Sequence, residues 1–140
     1  MQDRVNYRFW DTKERVMLDW DCICQTAFNC TRKEGNEIQR YGLMYFVFTT
    51  PQRFIPLQCT GLRDKTGKLI FEGDIVHKSG SKFNGEKILS EIEWCETSAH
   101  FVYSDYIGIG GSHEFRTGTA GKMEVLGNIY ENPELIKEKI

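Results

Sequence analysis

Apolar residues in this chain come in short runs that alternate with polar ones and stop at glycines. That pattern admits strands far more readily than helices. From Ile88 to Cys95, the side chains of Ile88, Ser90, Ile92 and Trp94 fall on one face. Those of Leu89, Glu91, Glu93 and Cys95 fall on the other, the period of two of a strand with one buried side. Residues 5–10 read as a half-buried strand, Asp11 to Arg15 as a polar turn and Val16-Met17-Leu18 as the returning strand, so residues 5–20 predict a hairpin. Residues 21–25 add a strand. Gly42 to Thr50, Ile55 to Cys59, Asp74 to Lys78, Phe101 to Ile107 and Val125 to Tyr130 supply the others. Thirteen glycines, three prolines and an aromatic content of 13% fit the same reading.

The connections are marked by turn chemistry. Residues 29–40 are polar, with Gly35-Asn36 as a turn signal, and Pro51 and Pro56 frame another turn. Asp64-Lys65-Thr66-Gly67 suits a tight turn with Gly67 at positive φ. Glu72-Gly73-Asp74 breaks direction before the next strand. Residues 79–87 read as a polar loop, and Gly108, Gly110, Gly111, Gly118 and Gly121 mark a turn-rich stretch. Near the end, Asn132 predicts a helix cap, Pro133 the first helical position and Glu134 a favourable charge against the dipole. So short a helix must dock to persist.

The chain has 140 residues with 18 Lys and Arg against 20 Asp and Glu, a formal net charge of −2. Residues 1–76 hold 11 basic and 10 acidic residues, and residues 77–140 hold 7 and 10. That balance argues against nucleic acid as the main partner. The N-terminal residues lack an apolar signal-peptide core, and Leu43 to Phe48 is too short to span a bilayer. A cytoplasmic location with no membrane partner is expected. The odd count of five cysteines, Cys22, Cys24, Cys30, Cys59 and Cys95, fits reduced, buried thiols in that compartment. Cys22, Cys24 and Cys30 as zinc ligands are the minor alternative, since their spacing is not that of paired knuckles.

Three blocks resemble the YopX family of phage and prophage proteins. The first is Tyr7-Arg8-Phe9-Trp10-Asp11 followed by Met17. The second runs from Cys59 through Thr60, Gly61, Leu62, Asp64, Gly67, Glu72, Gly73 and Asp74 to Val76. The third is Glu124-Val125-Leu126-Gly127-Asn128-Ile129-Tyr130-Glu131-Asn132-Pro133-Glu134-Leu135. They stand in family order and span nearly the whole chain. Trp10 directly after Phe9, and Cys59 where an aromatic is common, depart from the pattern. Residues 21–50 and 77–120 have no sharp counterpart. The resemblance implies an SH3-type β-barrel in the C-terminal part and brings no catalytic residues with it. The expected architecture is mainly β: an N-terminal β-rich region over residues 1–55, then an SH3-like barrel with a short C-terminal helix over residues 56–140.

The motifs carry little chemistry of their own. Glu72 and Asp74 flank a glycine and could serve a metal or a general acid, but a turn in which Asp74 caps the backbone explains them more simply. His77, His100 and His113 fall in separate elements, with no H-E-x-x-H, P-loop or nucleophile elbow. Gly108-Ile109-Gly110-Gly111 lacks the Lys-Ser/Thr of a phosphate loop and reads as a hairpin tip. No catalytic residue, cofactor or metal is expected. The family-motif residues Trp10, Asp11, Thr60, Gly61, Leu62, Asp64, Gly67, Glu72, Gly73, Asp74, Gly127, Asn128, Tyr130, Asn132 and Pro133 are expected to be structural or to contact a partner. The leading expectation is a non-enzymatic accessory protein that binds a host or phage protein, with self-association through sheet edges as a related possibility. A nucleic-acid module ranks second, with Phe101, Tyr103 and Tyr106 stacking beside Lys78, Lys82, Lys87, Arg116 and Lys122. A metal-dependent enzyme ranks last.

Overall fold

Residues 6–21, 49–106 and 111–137 are described by the structure, a computed structural model. The chain divides into two compact units, Asn6–Leu57, and Gln58–Ile140 together with Met1–Val5. In the first unit, β1 (Tyr7–Asp11) and β2 (Val16–Leu18) form the expected hairpin, in the register Phe9↔Leu18, Trp10↔Met17 and Asp11↔Val16. Asp11 Oδ1 accepts the Lys13 and Glu14 backbone N–H groups at 3.0 and 3.2 Å, which fixes the turn in which Arg15 takes φ 57°. The start of β3 (Phe54–Arg63) pairs with β1. Phe9 and Phe54 are buried here, with Tyr7, Leu18 and Trp20 packed against them. The strands expected over residues 21–25 and 42–50 and the loop over 29–40 lie outside the described residues, apart from Asp21, Thr49 and Thr50.

The second unit begins where the end of β3 pairs with β4 (Leu69–Phe71). Cys59 faces Phe71 and Arg63 faces Leu69, so β3 spends two more residues than β4 over the same span. Gly61, at φ 76°, sits in that irregularity. Then follow β5 (Asp74–Lys78), β6 (Lys82–Phe83), β7 (Glu86–Lys87), β8 (Ser90–Cys95), β9 (His100–Asp105), β10 (Ser112–Glu114), α1 (Thr117–Ala120), β11 (Met123–Asn128) and α2 (Glu134–Lys137). An antiparallel sheet in the order β10-β9-β8-β5-β11 curls into a half-barrel. Its inner face carries Val76, Ile92, Tyr103 and Met123, which pack with Ile70, Phe115 and Ala120 into the core. The Ser90, Ile92, Trp94 face is the inward one: Ile92 is fully buried, and Trp94, at the rim, meets Phe101 edge-on at 5.0 Å. A bulge at Leu126 bends β11 and leaves that side chain exposed.

Four expectations need correction. Residues 79–87 are not a plain loop but contain the β6–β7 hairpin. Asn84 (φ 51°) and Gly85 (φ 84°) both adopt the left-handed conformation that a two-residue hairpin turn demands. The turn-rich stretch before β11 holds β10 and one helical turn. The last strand stops at Asn128 rather than Tyr130, because Asn128 Oδ1 accepts the N–H groups of Tyr130 and Glu131 at 3.1 and 2.9 Å and turns the chain. Asn132, expected to cap α2, instead turns its side-chain oxygen back to the Asn128 N–H at 3.3 Å.

That return contact needs glycine at 127. A Cβ there would lie 2.4 Å from Asn132 Oδ1 and 2.7 Å from its Cγ. Gly127→Ala is expected to lower stability by about 1–3 kcal/mol in urea titrations. Gly118→Ala, where a Cβ meets nothing within 4 Å, is expected to be neutral or slightly stabilising.

Candidate functional site

Among the family-motif residues of the second unit, Asp64 anchors a structural knot. Asp64 is buried, and its carboxylate accepts four donors. Oδ1 takes the Thr66 N–H at 2.8 Å, the Thr66 hydroxyl at 2.6 Å and the Lys68 N–H at 3.0 Å. Oδ2 takes the Val125 N–H of β11 at 2.9 Å. The turn expected at Asp64–Gly67 is present, with Gly67 at φ 89°, and it is bolted to a strand sixty-one residues away. Beside it, the Lys65 N–H donates to the Met123 carbonyl at 2.9 Å and Lys65 Nζ meets Glu124 at 3.0 Å. Burial pushes the Asp64 carboxyl up, but the bonds from Thr66, Val125 and Lys68 outweigh it and hold it below the usual carboxylate range.

The remaining motif groups are committed in the same way. Thr60 Oγ1 donates to the Ile70 carbonyl at 2.8 Å and accepts the Leu62 N–H at 3.2 Å. Asp74 Oδ2 accepts the Phe71 N–H at 2.8 Å across the tight turn in which Gly73 takes φ 81°. Gly73 donates to the Ile92 carbonyl at 2.8 Å and accepts the Ile129 N–H at 3.0 Å. Glu72 Oε2 accepts the Gln58 N–H at 3.4 Å, so Glu72 and Asp74 serve different strands. Asn128 Nδ2 donates to Glu131 at 2.7 Å. In the first unit, buried Asp11 takes Arg53 Nε at 2.9 Å on Oδ1 and Arg53 Nη2 at 2.7 Å on Oδ2. That bidentate bond from Arg53 holds the Asp11 carboxyl below its ordinary range.

The histidines are not brought together. His77 is buried in β5 with Nδ1 2.9 Å from the Ile88 carbonyl, whereas His100 and His113 stand on β9 and β10. Ser90, Asp105 and His113 do adjoin, but in the wrong order for a catalytic triad. Ser90 Oγ donates to Asp105 Oδ1 at 2.5 Å, and His113 Nε2 lies 3.3 Å from Asp105 Oδ2. The carboxylate sits between the other two, where nucleophile activation needs the imidazole there. Among the described residues no group of three His, Cys, Asp or Glu side chains could hold a metal ion. Cys22, Cys24 and Cys30 lie outside the described residues, as do Gly108 and Gly110.

The aromatics proposed for base stacking are largely occupied. Tyr103 is buried and lies 4.9 Å from the His113 ring, Phe101 packs on Trp94, and the Tyr106 hydroxyl donates to Glu91. Glu91 and Glu93 share the other sheet face with Ser104, which donates to Glu93 at 2.5 Å. Burial, against the Tyr106 bond, pushes the Glu91 carboxyl up, and the charges of Glu93 and Glu72 add to the shift. The exposed large apolar side chains, Phe83 and Trp94 in this unit's hairpins and strands among them, are not those that the sequence suggested.

One reactive group was missed. Cys59 is a buried thiol as expected, but Cys95, the last residue of β8, is only half-buried beside the β8–β9 turn. Hydroxyls of Ser98 and Thr97 bond its sulfur, with Thr97 Oγ1 at 3.3 Å, and lower its pKa to about 7. The hydroxyl pair Thr97-Ser98 was the available signal, but only the turn geometry, with Ala99 at φ 52°, aims it at the thiol.

Residues 6–137 match the family model described as YopX protein. The chain belongs to the YopX family. The crystal structure of protein EF1440 from Enterococcus faecalis is similar, with a TM-score of 0.58 at 22% identity, over 94% of this chain and 97% of that one. That likeness shows a shared fold. No curated protein matches the chain. Among the described residues of this YopX-family protein, no helix is long and apolar enough to cross a membrane.

All four donors to Asp64 point at oxygen, so an amide in its place would set an NH2 group against one of them. Asp64→Asn is expected to cost about 2–3 kcal/mol at neutral pH. Because the folded-state pKa is lowered, the stabilisation is complete above the ordinary carboxylate range and is lost as pH falls through the folded value. The gap between wild type and Asp64→Asn, followed by urea melts, should therefore close in acid. For Cys95, the rate of iodoacetamide alkylation, read by peptide mass spectrometry, should reach half its maximum near pH 7. Thr97→Val should move that midpoint upward, towards about 8.5 for a free thiol.

Proposed function

We propose that this YopX-family protein is a phage or prophage accessory protein of the host cytoplasm that works by binding another protein and performs no chemistry of its own. The observation that carries this reading is the saturation of its motif groups. Asp64, Asp74, Asn128 and Thr60 are engaged by backbone groups of their own fold. Polar residues spent on holding turns and strands make a scaffold, and a scaffold's specificity lies in the surface it presents. We read the curled sheet with β3 and β4 as an SH3-type barrel, a frame that suits recognition through loops and hairpins. The absence of a strongly basic balance supports a protein partner over nucleic acid.

The test is chemical crosslinking of the tagged full chain inside cells that carry the phage, followed by purification with and without nuclease. One protein recovered near stoichiometric amounts, unaffected by nuclease, is the expected result. Recovery that disappears with nuclease, or no crosslinked protein above the tag-only control, would overturn the reading.

A further inference from the structure

We propose that Asn84 is a site of spontaneous chemical modification. The Asn84-Gly85 pair closes to a succinimide with loss of ammonia and then opens to isoaspartate and aspartate, and the change is confined to the β6–β7 hairpin. Asparagine is chemically among the least durable side chains. Its ring closure needs an uncrowded backbone N–H on the next residue and a chain free to bend towards the side chain. Asn84 is the only asparagine of the chain followed by glycine. Gly85 sets no side chain beside its own nitrogen, and even an added Cβ would meet nothing within 4 Å. Both residues are exposed at the tip of the turn. Among the described residues, neither the Asn84 amide nor the Gly85 N–H has a hydrogen-bond partner.

The other described asparagines are held back. Asn128 is buried, its Oδ1 accepts the Tyr130 and Glu131 N–H groups, and its Nδ2 donates to Glu131. Asn132 precedes Pro133, whose nitrogen carries no hydrogen to lose. Asn6 precedes Tyr7, which opens β1 and packs on the Phe9–Phe54 cluster. Asn84 differs from all three in what its turn costs to open. Ring closure requires its backbone to leave the left-handed setting, φ 51°, that the hairpin imposes. The flanking strands are two residues long, paired Lys82↔Lys87 and Phe83↔Glu86, and all four residues are exposed. The Ile88 N–H closes the base on the Ser81 carbonyl at 3.2 Å. A hairpin this short with nothing buried opens at little cost, so the fold does not guard the site.

The step balances with water as the sole co-reactant. The Gly85 nitrogen gives its proton to solvent base and attacks the Asn84 side-chain carbon, and the side-chain amide leaves as ammonia. Water then opens the imide. Attack at the side-chain carbonyl gives aspartate, whereas attack at the main-chain carbonyl gives isoaspartate, in which the chain runs through the former side chain. Either product carries a carboxylate where the amide stood. Isoaspartate also adds a carbon to the backbone of a two-residue turn, which the Phe83↔Glu86 pairing does not tolerate. The core does not depend on that pairing, since none of residues 82–87 is buried.

The full chain is incubated at mildly alkaline pH beside a synthetic peptide of residues 79–90. Isoaspartate is read by methyl transfer from labelled S-adenosylmethionine with an isoaspartate-specific carboxyl methyltransferase, and its position by peptide mass spectrometry. Isoaspartate and aspartate are expected at position 84, at a rate within about tenfold of the peptide's, and the signal is expected to vanish in Asn84→Gln. Aged protein is expected to melt at the temperature of fresh protein and to exchange amide hydrogens faster in residues 81–88 alone. No isoaspartate at position 84, a rate more than about tenfold below the peptide's, or a rate no greater than that at Asn6 would overturn the site. Faster exchange spreading into β5 or β8, or a lower melting temperature, would overturn its confinement to the hairpin.

Discussion

Four hydrogen bonds on one buried carboxylate hold the second unit together. Asp64 fastens the β3–β4 turn internally and, with its second oxygen, reaches the backbone of β11. Removing the charge weakens the side-chain brace of the turn together with one of its ties to β11, leaving the backbone bonds of the turn and the Lys65 contacts to Met123 and Glu124. A buried anion is ordinarily a burden. Here its cost is offset because every lone-pair direction used meets an N–H or O–H, three of the four within the turn itself. Gly73 plays the corresponding part on the other side, lending its N–H to β8 and its carbonyl to the chain after β11.

Much of this was legible locally and little of it globally. The Asp64–Gly67 turn can be read from four letters because its chemistry is local: an Asx side chain bonding the next residues and a glycine at positive φ. The bond from Val125 cannot, since nothing in either segment names the other. The alternation from Ile88 to Cys95 gave the inward face of β8 correctly, down to Ser90, which is buried because Asp105 receives its hydroxyl. The β6–β7 hairpin is not legible in the sequence, where residues 79–87 read as a polar loop. Its strands are too short to alternate, and the Asn84-Gly85 pair that sets its turn lay in a stretch with no apolar pattern on either side. Cys95 shows a different limit. Burial of cysteine is a fair expectation, but its reactivity is set by two hydroxyls whose aim depends on the turn.

The same division runs through the candidate site. Of the residues singled out by family resemblance, Thr60, Asp64, Gly73, Asp74, Gly127 and Asn128 each sit at a turn or a close approach. The exposed side chains of Phe83 and Trp94 lie in the region between the recognisable blocks.

The pairing of β5 with β11 has a consequence for how the unit comes into being. Asp74 meets Asn128, and Val76 meets Val125, so β5 has one neighbour close in sequence, β8, and the other, the edge strand β11, far away. A β-pairing that closes so long a loop is slow. While the unit waits for it, β5 keeps an open edge bearing Ile75 and Val76, both fully buried once β11 has docked. Folding of this protein is therefore a race between late closure of its own sheet and capture of that edge by another chain.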